Sequence, residues 1–206
     1  FSALGISLIT KAGLGTSPIT SLAFVLTFIF PHSLGEFTML VNTVMFLIQA
    51  ALLGKAFGKI QLLQLPAALL FSACIDGWMY ILGFWKTGSY VGQVLMLLLG
   101  CVFLGLGIAF EVIPNVLILP GEGLVRVIAG LTGWRFGLVK TGFDMSIVAS
   151  AVGVSLFFTG HVLGIREGTV LAALIVGSIS HFFIEKVSNV LEGWIPDYSD
   201  AGDACP

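Results

Sequence analysis

Residues 95–110, LMLLLGCVFLGLGIAF, carry no charge. With Val91 to Val94 the run reaches the roughly 20 residues with which a helix rising ~1.5 Å per residue crosses a bilayer core. The stretches 36–53, 62–83, 138–158 and 168–191 are almost as apolar. Membrane-spanning β-strands alternate apolar and polar residues. These runs do not alternate, and a helix satisfies its own backbone in lipid. The chain therefore reads as an all-α integral membrane protein. Composition agrees: 10% of its 206 residues are charged and 57% are hydrophobic. A water-soluble domain carries about 25% charge.

Several classes drop out. A net charge of −2 without a long basic run gives nucleic acid no footprint. Cys74, Cys101 and Cys205 show no CxxC spacing, so no metal centre or disulfide framework is expected. Gly13 to Pro18, GLGTSP, lacks the lysine and the preceding strand of a phosphate loop. No nucleophile set is visible. The chain is expected to be neither an enzyme nor a cofactor carrier.

In chain order, FSALGISLITK is too short to span, so helix 1 is expected to begin before Phe1. A glycine turn at 11–18 precedes a short helix 2 (18–30), started by Pro18 with Thr16 or Ser17 as cap. Helices 3 (36–53), 4 (62–83) and 5 (91–110) follow. A second glycine turn, Gly121-Glu-Gly123, opens a short helix 6 (123–131). Helices 7 (138–158) and 8 (168–191) complete the set.

The order repeats. AALLFSACID (67–76) aligns with AALIVGSISH (172–181), setting Asp76 opposite His181. Leu34-Gly35 aligns with Phe136-Gly137, setting Asn42 opposite Asp144 and Thr38 opposite Lys140. Gly13-Leu-Gly15 aligns with Gly121-Glu-Gly123. Two homologous four-helix halves are expected, 1–86 and 87–193, with a polar acidic tail at 194–206. The count is six to eight membrane segments, depending on whether the short, broken helices 2 and 6 span or re-enter. Re-entry places Lys55, Lys59, Arg135 and Lys186 against Lys86 and Arg166, which fits the positive-inside rule better than the tie that spanning gives.

AGLGTSP, the SLGEFT turn, GEGLVRVIA and TGWRFGLVKTGFD together resemble the YczE/YitT group of bacterial membrane proteins over nearly the whole chain. The resemblance implies a duplicated, polytopic fold in the bacterial cytoplasmic (inner) membrane. It implies little about chemistry.

Matched, Gly/Pro-broken short segments in two halves point to a transporter-like site. Charges inside apolar helices are costly and usually face a polar interior. On these grounds Arg126, Lys140, Asp144, Asn42, Gly15, Ser17 and Gly123 are expected to bind substrate. Arginine suits a carboxylate, phosphate or sulfonate, and Lys140 and Asp144 share a helix face at i, i+4. Asp76 and His181 are the expected coupling residues, since histidine titrates near neutral pH. The function expected is secondary transport, or channel-like passage, of a small anionic or zwitterionic solute. The other reading is a membrane-embedded accessory protein that recruits or regulates a partner without transport, recognisable by a filled interior and one large apolar or charged face. Gly100, Gly105 and Gly107 offer either a homodimer face or close packing inside one chain.

Overall fold

The computed structural model describes residues 1–85, 88–113 and 118–192, without the side chains of Lys55, Lys59, Phe136, His181 and residues 187–192. The expected tail at 194–206 lies outside the described residues. Every element within them is helical: α1 (Ser2–Lys11), α2 (Ser21–Ile29), α3 (Leu34–Leu53), α4 (Gln64–Ile81), α5 (Tyr90–Val112), α6 (Pro120–Thr132), α7 (Phe136–Thr159) and α8 (Glu167–Glu192), with short 3-10 turns between some of them. Five helices, α3, α4, α5, α7 and α8, are long and apolar enough to cross a membrane. At ~1.5 Å per residue, α2 and α6 each fall short of a ~30 Å core.

The outside of the bundle is greasy. Leu70, Tyr80, Leu95, Phe157 and Leu174 are all more than 60% exposed. Such a surface suits acyl chains and would aggregate in water.

Inside, α1 packs on α5 and α4, and α5 packs on α8. Glycines set the distances. A Cβ on Gly5 would lie 2.7 Å from the Gly100 carbonyl oxygen, and one on Gly100 would lie 2.9 Å from the Gly5 carbonyl oxygen. Gly107 faces Ser2, and Gly105 faces Ile179. Of the two uses expected for these helix 5 glycines, the fold employs close packing within the chain. Around the crossing sit Ile6, Ile9, Leu97 and Cys101, all essentially inaccessible.

The two expected glycine turns differ. Gly13 and Gly15 do form a turn, with φ of 76° and 129°. It docks on the start of α8: the Gly168 amide donates to the Leu14 carbonyl at 2.8 Å, and the Thr16 amide donates to Thr169 Oγ1 at 3.1 Å. Gly121 and Gly123 lie inside α6 rather than before it, because Pro120 occupies its first turn. There they permit close approach: a Cβ on Gly121 would meet Ile19, and one on Gly123 would meet Gln49.

The start of α3 is tied twice. Ser33 and Glu36 form a capping box. Asp76, from α4, accepts from Ser33 Oγ at 2.6 Å and from the Gly35 amide at 2.7 Å. Asp76→Ala strands these donors and is expected to cost about 1–3 kcal/mol. Thermal unfolding, together with faster amide exchange at residues 34–37, checks it.

Candidate functional site

A cavity of about 460 Å³ opens between the helices, within the size range of small-molecule sites. Its polar lining comes from six helices and one turn, with Ser2 of α1 and Ser180 of α8 among it. Ser17 and Thr20 stand at the Pro18–Thr20 turn. They are held by a buried hydroxyl chain: Thr10 Oγ1 to Thr16 Oγ1 is 2.9 Å, and Thr16 Oγ1 to Thr20 Oγ1 is 3.1 Å. Thr38 and Asn42, both buried, project from α3 one turn apart. Glu111 ends α5, Glu122 and Arg126 lie on α6, and Lys140 and Asp144 lie on α7.

Lys140 Nζ donates to Asp144 Oδ1 at 3.1 Å, with the two side chains 25% and 22% exposed. This is the i, i+4 pair that the sequence spacing predicts. Glu111 Oε1 accepts from the Leu119 amide at 2.6 Å, which fastens the chain entering α6 to the end of α5. Glu122 and Lys140 both act electrostatically on Glu111, so the acids and bases form one group. Five ionisable side chains, three acidic and two basic, thus line a single space among apolar helices.

Of the residues expected to bind substrate, the fold brings Ser17, Asn42, Arg126, Lys140 and Asp144 to this cavity. Gly123 lines a smaller neighbouring chamber with Gln49, Gln61 and Gln64, which Arg126 also borders. Gly15 does not line the main cavity; its Cα packs on Thr169 of α8. Asp76 is likewise absent from the lining and is engaged at the start of α3, so the pairing expected with His181 finds no support in its contacts. The His181 side chain lies outside the described residues.

Glu111 and Glu122 were not expected there. The signal was present: Glu111 is the only charge in an otherwise uncharged 91–112 run, and Glu122 stands four residues before Arg126, on the same helix face.

Comparison with known proteins adds lineage. The model of the family of unknown function DUF6198 matches residues 1–185. The chain belongs to this family. Two proteins of Bacillus subtilis (strain 168) are similar to this DUF6198 member. The uncharacterized membrane protein YczE is 27% identical over 205 residues, covering 99% of this chain and 90% of YczE. The uncharacterized protein YyaS is 28% identical over 188 residues, covering 89% of this chain and 87% of YyaS. The resemblance read from the glycine turns therefore holds for YczE. No solved structure matches. Five helices long and apolar enough to cross a membrane give this DUF6198 chain the make-up of a multi-pass membrane protein.

Proposed function

We propose that this DUF6198 member is a carrier for a small solute bearing both charges, working in the bacterial inner membrane. The observation that carries this reading is the single cavity that gathers Arg126, Lys140, Asp144, Glu111 and Glu122. Buried charges are costly unless paired or used. A zwitterion meets both signs at once, with its carboxylate on Arg126 or Lys140 and its ammonium on an acid. Asn42 and Ser17 supply neutral hydrogen bonds. The reading assigns the protein no covalent step and no cofactor. The accessory-protein reading calls for a filled interior, which a cavity of this size disfavours.

Four helix pairings support two related halves, while the extensive α3–α4 contact has no counterpart of its extent between α7 and α8 among the described residues. Exchanging α1–α4 with α5–α8 turns the α1–α4 contact into α5–α8, the α3–α6 contact into α7–α2, and the α2–α3 contact into α6–α7. The α1–α5 contact maps on itself. In this reading the short α2 and α6 are the broken segments that carriers place beside their substrate.

The test is thermal unfolding of purified protein with amino acids, small carboxylates, sulfonates and amines. A bound zwitterion at ~100 times its Kd adds about 2.7 kcal/mol. For a chain of this length that raises Tm by about 5–10 °C. Asp144→Asn and Arg126→Ala are expected to remove the shift while keeping the parent's unliganded fold. Shifts from none of these solutes, or equal shifts in parent and variants, would sink the proposal.

A further inference from the structure

The cavity has two unlike walls. Ile6, Leu104, Ile108, Ala172 and Val176, from α1, α5 and α8, make most of one of them, beside Ser2, Glu111 and Ser180 on the same helices. Glu122, Arg126, Lys140 and Asp144, from α6 and α7, make the other. A solute that is polar throughout would leave the first wall without a partner.

The cavity also reaches the outside of the bundle. α7 and α8 both line it, yet they have no extensive packing on each other among the described residues. Gly137 and Thr141 of α7, and Ala173 and Gly177 of α8, line it and are exposed. A Cβ built on Gly137 or Gly177 would meet nothing within 4 Å. Both helices are long and apolar enough to cross the membrane, and Leu138, Phe157, Val170 and Leu174 on them are exposed. The seam between α7 and α8 therefore faces acyl chains. The seam between α3 and α4 is shut: Gly35 lies against the Ser72 carbonyl and the Asp76 carboxylate.

We infer that the ligand is a single-chain zwitterionic amphiphile that enters from the bilayer through the α7–α8 seam. Its tail lies along the apolar wall and its head group on the charged wall. The inference rests on the carrier reading and deepens it by naming the substrate class. Each methylene laid on the apolar wall leaves water or lipid for a packed surface. The head brings opposite charges to groups that burial would otherwise leave costly.

The experiment uses the full chain in phosphatidylcholine nanodiscs, with bound ligand counted by native mass spectrometry. The probes are palmitoyl-lysophosphatidylethanolamine, its head alone as glycerophosphoethanolamine, and palmitate. The lysolipid is expected to bind at least roughly 100-fold more tightly than the head alone, and more tightly than palmitate. Ala173→Trp and Gly177→Leu, which fill the seam, are expected to weaken it by about 10-fold with Tm unchanged. Equal binding of lysolipid and head would leave the carrier reading standing and overturn the amphiphile. Palmitate binding as tightly as the lysolipid would overturn the zwitterionic head. No binding of any probe overturns the inference outright. A folded seam variant that binds like the parent overturns the route. A stable dimer abolished by Ala173→Trp would assign the seam to a second copy and overturn it as well.

Discussion

Gly5→Val is expected to cost more than about 3 kcal/mol, the top of the usual range for overpacking, and to lower Tm by at least roughly 6 °C. The reason is what a side chain would strike. The first carbon beyond Gly5 already runs into the amide of Leu104 and the carbonyl of Gly100. Both are backbone atoms of α5, so neither can turn aside as a side-chain tip would. Relief requires α1 and α5 to separate, and their contact supports the core of Ile6, Ile9, Leu97 and Cys101. Gly77→Ala is the control. A Cβ there meets nothing within 4 Å, and replacing a mid-helix glycine by alanine gains about 0.5–1 kcal/mol. Thermal unfolding of the two variants side by side should show opposite signs. A Gly5→Val protein that melts with the parent would mean that the crossing is looser than described.

Lys140→Met is expected to destabilise by about 2–3 kcal/mol, below the 3–5 seen for fully buried pairs, because both partners keep about a quarter of their exposure. It leaves Asp144 without its 3.1 Å donor and removes the cation that also offsets Glu111. Asp144→Leu should cost less, since Lys140 keeps Glu111 as an electrostatic partner. The double variant Lys140→Met/Asp144→Leu removes both charges and should recover at least about half of the loss, as apolar replacements of ion pairs often do. A double-mutant cycle by thermal unfolding measures the coupling. Losses that simply add would show that the pair is not coupled. Ligand binding should be absent from all three variants whatever their stability, which separates a role in the site from a role in the fold.

Much of this arrangement was legible in the chain because charge is so rare in it. Arg126, Lys140, Asp144 and Asn42 stand out against apolar neighbours, and helical spacing alone places Lys140 above Asp144. The helix boundaries followed from continuous apolar runs and from the punctuation of Pro18, Gly54, Gly133 and Gly160. What stayed hidden depends on contacts between distant elements. Asp76 looks like a buried charge on α4, and only the packing of α3 against α4 turns it into an acceptor for an amide 41 positions away. The Gly121-Glu-Gly123 stretch reads as a turn by composition. Pro120 started the helix earlier, so its glycines serve close approach inside α6. Glu111 follows directly on the apolar run that ends at residue 110, where an acid is ordinary, and the fold brings it back to the cavity through the Leu119 amide.

The unclosed seam also sets where the molecule is soft. α1 is clamped by α4 and α5, and α5 by α8, with backbone against backbone at the glycines. α7 rests mainly on α2, α6 and the Pro18–Thr20 turn, and one flank lacks a closely packed neighbour. A stiff frame thus carries a looser leaf. Regions with few packed neighbours open locally at a lower free energy than the core. The leaf bears Lys140 and Asp144, so, among the described residues, the least buried of the five long helices is also the one that carries both charges of this interior ion pair.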